Sequence, residues 1–233
     1  MNTPTTPEAD YSQRDVRQRQ IVPPEKLAAT RAIVIGVGAI GRQVAIQLAA
    51  VGIPAIDLID HDAVEVENLA PQAYWASDVG MPKVQATAAA CRLLNPSIRV
   101  DTHAERFRRS MVKELMGNPM ARSCVFCCVD NIETRKLIWE AVRSRAAFWA
   151  DARMSAEVIR VLASANPILD NRYATTLFTA EQAYAGACTA KSTVYTASIA
   201  AGLMLSQFTR WLRGLPVDTD LSLNLLASEM QVT

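Results

Sequence analysis

Four kinds of residue in this chain have the chemistry for a reaction at a phosphorylated ligand. Gly36-Val37-Gly38-Ala39-Ile40-Gly41 has the glycine spacing that lets a backbone turn tightly and bring N–H groups to a phosphate at a helix start. Asp60, 19 residues after Gly41, closes the next apolar run, where a carboxylate accepts hydrogen bonds from a ribose hydroxyl. Lys83 follows Met81-Pro82 at the start of a helical pattern, and Asp130-Asn131 ends a run of apolar residues. Cys188 lies in Ala185-Gly186-Ala187-Cys188-Thr189-Ala190-Lys191, a small-residue segment in which Lys191 or a following helix start lowers a thiol pKa.

These residues need elements to hold them. Arg31 to Ile35 reads as a buried strand, Ile40 to Val51 as a helix stopped by Gly52 and Pro54, and Ala55 to Ile59 as a second strand delivering Asp60, His61 and Asp62. Together they form one βαβ unit, right-handed by the usual rule. The pattern then predicts a helix from Lys83 through Leu94, a strand over Ser97 to Thr102, a short helix over Ser110 to Met116 and a core strand over Ser123 to Val129. It goes on to a helix over Ile132 to Arg145, strands over Ala147 to Ala150 and Val158 to Leu162, and a largely buried helix over Ser192 to Arg213. The expected fold class is α/β, a Rossmann-like doubly wound sheet, parallel in its first half with a mixed or antiparallel extension. Residues 1–12 read as a disordered tail and 13–233 as a single domain.

Composition narrows the partners. With 24 Lys and Arg against 23 Asp and Glu the net charge is +1, which offers no electrostatic footprint for nucleic acid or an anionic membrane. The N-terminus lacks the basic and apolar regions of a signal peptide, so the protein reads as cytosolic and its 5 cysteines as reduced thiols. By spacing alone the glycine turn says only that a nucleotide binds, NAD being the usual first guess, or it binds nothing; Asp60 then caps a helix or sits at the surface, Lys83 is a solvated lysine and Asp130 caps the helix at Ile132.

The segment Asp60-His61-Asp62 through Asn68-Leu69-Ala70-Pro71-Gln72, followed by Asp78-Val79-Gly80-Met81-Pro82-Lys83, resembles the nucleotide-binding signature of the ThiF/MoeB/HesA family, and Arg19-Gln20-Ile21-Val22-Pro23 and Cys128-Val129-Asp130-Asn131 with Arg135 agree with it. The resemblance runs from about Arg17 to Leu212 and implies an enzyme that adenylates the C-terminal carboxylate of a ubiquitin-like or sulfur-carrier protein with ATP and Mg²⁺. It gives Asp60 the ribose hydroxyls, sets Gly38 and Ala39 against the nucleotide within the Gly36 to Gly41 turn, and adds Asp62 and Asn131 to the contacting set. Asn68, Gln72 and Lys83 fall on the phosphate side, Asp130 ligates Mg²⁺, and Arg19 reaches into a neighbouring subunit's site, which implies a homodimer. Cys188 resembles a thioester-forming cysteine, and with it comes a conjugating enzyme as partner.

Pro71 departs from the family, standing where an arginine is usual within Asn-Leu-Gln-Arg-Gln. Either Arg42, Lys83 or Arg135 supplies the missing charge, or the chain is a nucleotide-binding partner protein without chemistry. Ala39 replaces a usual glycine. Cys124 and Cys127 have zinc-ligand spacing, but they lie in an apolar strand without a second pair, so no structural zinc is expected, and Cys91, Cys127 and Cys128 read as core packing. His61 is expected to face outward, and neither it nor His103 to act in catalysis. From the length, no separate catalytic-cysteine domain is expected within these 233 residues.

Overall fold

The structure, a computed structural model, describes residues 13–118, 120–178 and 192–233. The predicted tail at 1–12 and Cys188 lie outside the described residues.

Eight strands form one sheet: β1 Thr30–Ile35, β2 Ala55–Ile59, β3 Arg99–His103, β4 Arg122–Cys127, β5 Phe148–Ser155, β6 Val158–Ser164, β7 Asp220–Asn224 and β8 Glu229–Val232. Their order is β3-β2-β1-β4-β5-β6-β7-β8. Pairing is parallel from β3 through β5 and antiparallel from β5 through β8. The α/β class and its antiparallel extension therefore match the reading of the sequence. The helices are α1 Pro24–Ala28, α2 Ala39–Val51, α3 Leu69–Gln72, α4 Lys83–Leu94, α5 Val112–Leu115, α6 Ile132–Val142, α7 Arg172–Thr175 and α8 Val194–Arg213. None of the described helices is long and apolar enough to cross a membrane.

Alternation along the strands divides the core between the two faces of the sheet. On β4, Cys124 and Phe126 join Val44 and Leu48 of α2, Val84 and Cys91 of α4, and Met204 and Phe208 of α8. Val125 and Cys127 point to the other face, among Val112 of α5, Trp139 of α6 and Tyr173 of α7. Cys124 and Cys127 thus lie on opposite sides of the sheet, an arrangement that cannot close on one metal ion.

Several elements differ from expectation. Strand β5 runs to Ser155, well past Ala150, and the charge of its buried Asp151 is met by ion pairs with Arg153 and Arg135. Strands β7 and β8 were not anticipated: each is a short segment of alternating polarity whose partners are supplied by β6 and by each other. Chain order reverses between β1 and β4, so the C-terminal ends of these two strands flank the crevice in which an open α/β sheet takes its ligand.

Candidate functional site

The crevice is built on three glycines with different reasons to be glycine. Gly36 has φ +84°, and a Cβ there would meet the Cys128 carbonyl carbon and oxygen at 2.8 Å. A Cβ on Gly41 would come 1.8 Å from the Gly36 carbonyl oxygen. Both are required by the fold: they let β1 turn into α2 while pressed against the end of β4, where Cys128 N donates to Ile35 O and Gly36 N to Ile59 O. Gly38 is otherwise. Its φ of −78° lies outside the left-handed region, and among the described residues a Cβ would meet only Gln72 Oε1, at 3.9 Å. The space beside Gly38 is otherwise open among the described residues, and α2 begins there with no side-chain cap from them on its N–H groups.

Asp60 neither caps a helix nor sits free at the surface. Its Oδ2 accepts from Val37 N at 2.6 Å and its Oδ1 from Asp62 N at 2.9 Å, binding the glycine turn to the end of β2. Each oxygen keeps a lone pair for a hydroxyl donor. The chain then makes a strap: Val64 N donates to Met81 O and Gly80 N to Val64 O, and Lys83 N donates to Asp62 O. Lys83, 7% exposed, is buried at the start of α4 with Nζ 3.2 Å from Asp62 Oδ2. His61 faces outward as expected, with Nε2 3.2 Å from Asp62 Oδ1. His103 lies apart from the crevice, on Asp57.

Within the strap, Asn68 Oδ1 accepts from Glu65 N at 3.0 Å, and α3 ends in Ala73 at φ 58°. Gln72 Oε1 is buried and has no hydrogen-bond partner among the described residues. An orphaned acceptor inside a protein costs about 1–3 kcal/mol unless a bound group satisfies it. It lies beside the open face of Gly38, where a nucleotide hydroxyl or amino group would supply a donor, and the amide turned round would donate to phosphate.

Across the crevice, the helix cap at Ile132 belongs to Asn131, whose Oδ1 accepts from Thr134 N at 2.9 Å. This corrects the cap reading of Asp130, and it ties up the one side-chain oxygen of Asn131. Asp130 itself is exposed, makes no hydrogen bond among the described residues and belongs to no cluster of three ligating side chains. A single free carboxylate suits Mg²⁺, which takes one or two protein oxygens and fills its shell with phosphate and water.

Two of the three bases expected to replace the arginine at Pro71 are committed elsewhere. Arg42, 1% exposed, donates from Nε to Ala73 O at 3.1 Å and from Nη1 to Thr87 Oγ1 at 3.2 Å, and its guanidinium lies 4.1 Å from the Tyr74 ring centre. Burial lowers its pKa, opposed by the nearby Tyr74 and Asp78. Tyr74 in turn donates to Val37 O at 2.6 Å, so this pair holds the strap against the glycine turn. Arg135 is buried on Asp151 and on backbone carbonyls. Only Lys83 remains next to the crevice. Neither arginine's structural use was legible, because the carbonyls and the carboxylate that hold them are brought close only by the fold.

Arg19 follows Gln18, whose Nε2 donates to Val51 O, and Arg14 Nη2 donates to Ala49 O and Ala50 O. This segment is therefore held at the C-terminal end of α2, a helix of 13 residues or about 20 Å from the glycine turn. An arginine side chain does not span that distance, so Arg19 is outside its own chain's crevice.

The model of the ThiF family matches residues 13–231, and the chain belongs to that family. Among curated relatives, the adenylyltransferase and sulfurtransferase MOCS3 of Bos taurus is 34% identical over 149 residues, 60% of this chain and 32% of the relative. Ubiquitin-like modifier-activating enzyme 5 of Drosophila melanogaster is 30% identical over 146 residues, 58% of this chain and 36% of the relative. The chain spans between 25% and 36% of the length of the curated relatives it matches. Among solved structures, PaaA superposes with TM-score 0.79 at 19% identity over 100% of this chain and 76% of its own. Escherichia coli MccB, determined with ATP, superposes with TM-score 0.66 at 18% identity over 90% of this chain and 64% of its own. These two share the fold.

Proposed function

We propose that the chain binds Mg·ATP in the crevice between β1 and β4 and adenylates the C-terminal carboxylate of a ubiquitin-like or sulfur-carrier protein. The observation that carries this reading is the buried Gln72 Oε1 beside Gly38, which has no partner among the described residues, together with the exposed Asp130 at the end of β4, which makes no hydrogen bond among them. Membership of the ThiF family and the names of the relatives support it.

In this reading Gly38, Ala39 and the following N–H groups of α2 take phosphate charge, and Asp60 receives the ribose hydroxyls on its remaining lone pairs. Lys83 turns from Asp62 to the phosphates, and Asn68 and Gln72 orient them. Asp130 holds Mg²⁺, which neutralises charge on the phosphate oxygens. The carrier's carboxylate oxygen attacks the α-phosphorus, the bond to the bridging oxygen breaks, and pyrophosphate leaves; holding these atoms in line is the main task of the site. A Cys188 thiolate then attacks the acyl carbon and releases AMP, leaving a thioester for a conjugating enzyme. Arg19 serves the crevice of a second subunit, which makes the working unit a homodimer.

The test is exchange of labelled pyrophosphate into ATP in the presence of candidate carriers ending in Gly-Gly. Carrier-dependent exchange, abolished by Asp130→Ala, is the expected result; no exchange with any such carrier, although ATP binds, overturns the adenylation reading. Pro71, together with the commitment of Arg42 and Arg135, favours a second reading, a nucleotide-binding partner protein with a degenerate site. Pro71→Arg separates the two: a large gain of exchange indicates a degenerate site, and no gain indicates that Lys83 suffices.

A further inference from the structure

The backbone around Asp130 is held more tightly than an exposed residue needs. Upstream, Cys128 N donates to Ile35 O at 2.8 Å and so extends the ladder of β4 onto β1. Downstream, Asn131 caps α6. Between them, the carbonyl of Val129, which belongs to the peptide joining Val129 to Asp130, accepts from Arg135 Nη2. The same Arg135 nitrogen donates to Ala152 O of β5 at 3.1 Å, and Nη1 pairs with Asp151. Asp151 is wholly buried and is held besides by Arg153 Nε and by the Tyr173 hydroxyl, each at 3.0 Å.

We infer that Arg135 is a positioning residue for the metal-binding carboxylate: it clamps the peptide preceding Asp130 to β5 and so fixes where Asp130 presents its oxygens. The inference rests on the reading that Asp130 holds Mg²⁺. A buried ion pair is a poor means to stability, because desolvating two charges offsets most of their attraction. The guanidinium fork, by contrast, reaches two carbonyls on different strands and a carboxylate at once, a geometry that a lysine ammonium does not reproduce. Among the described residues the side chain of Asp130 makes no hydrogen bond or ion pair, so the backbone is what orients it there.

Arg135→Met is a fair test because Asp151 keeps both Arg153 and Tyr173 as partners. ATP binding is measured by titration calorimetry with and without Mg²⁺, alongside the thermal midpoint, for the wild type, Asp130→Ala, Arg135→Met and Arg135→Lys. The wild type is expected to bind ATP about tenfold more tightly with Mg²⁺ than without. Asp130→Ala should lose that gain. Arg135→Met and Arg135→Lys should lose most of it too, while their metal-free ATP affinity stays within about twofold of wild type. If Arg135→Met or Arg135→Lys lowers the thermal midpoint and yet keeps the full Mg²⁺ gain, the arginine is structural only and the inference fails with the reading of the crevice intact. Should Arg135→Met not fold, Arg135→Lys alone gives the same two outcomes. No ATP binding by the wild type, or a Mg²⁺ gain that survives Asp130→Ala, overturns the inference and the reading beneath it together.

Discussion

The two walls of the crevice are built on opposite plans. On the β1–β2 wall nearly every polar group already has a partner: Asp60 holds two backbone N–H groups, Lys83 sits on Asp62, and Arg42 and Tyr74 brace the strap against the glycine turn. On the β4 wall the backbone is clamped, but the side chain of Asp130 makes no hydrogen bond or ion pair among the described residues. The first wall is a braced mould and the second holds a carboxylate on a clamped backbone. On the proposed reading a site divided in this way separates shape from charge: the mould would take the nucleotide and the carboxylate the cation.

Substitutions on each wall should therefore fail differently. The largest effect is expected for Asp130→Ala, with carrier-dependent pyrophosphate exchange falling by about 10³-fold while metal-free ATP affinity and the thermal midpoint stay near wild type. Next, Gly41→Ala drives a methyl into the Gly36 carbonyl and should cost about 3 kcal/mol or more of stability by urea denaturation. Arg42→Met leaves the Ala73 carbonyl without its donor and should cost about 2 kcal/mol in the same assay, with a proportionate loss of ATP affinity as the strap loosens. Gly38→Val should leave stability within about 0.5 kcal/mol of wild type but weaken ATP about tenfold by filling the space that the fold leaves open. Equal losses of stability at Gly38 and Gly41 would erase the distinction between a glycine kept for the ligand and one kept for the turn.

The smallest effect lies away from both walls. Hydrogen bonding from Arg160 holds the Asp220 carboxyl below the usual carboxylate range. A lowered folded pKa means stability that is present above the unfolded value near 4 and lost as pH falls through the folded one. Because Arg160 is well exposed, the pair should contribute less than about 1 kcal/mol. The difference in thermal midpoint between wild type and Asp220→Asn is expected at pH 7 and should shrink as pH falls below the unfolded value and through the lowered folded one.

Much of the first wall was legible in the sequence. Glycine spacing, an apolar strand before it and an aspartate after the next strand are local signals, and the elements they predict are present with small shifts at their ends. What was not legible depends on contacts distant in sequence. Asp130 and Asn131 are both good cap formers, and only the helix geometry assigns the cap to Asn131. Arg42 and Arg135 read in the sequence as bases that could replace the arginine missing at Pro71, and only the fold commits them to the Ala73 and Ala152 carbonyls. Strands β7 and β8 carry too few residues to announce themselves and exist because β6 offers them an edge.

The packing of the sheet has a further use. Burial pushes the thiols of Cys91, Cys124, Cys127 and Cys128 up, that of Cys91 to about 12. A reagent that attacks thiolates at neutral pH finds almost none at these four positions in the folded chain. Label taken up under native conditions then reports on Cys188 or on opening of the sheet, and a mild denaturant series distinguishes the two by whether uptake follows unfolding. The core thereby equips the protein with a silent background against which the chemistry of a single cysteine can be followed without replacing the others.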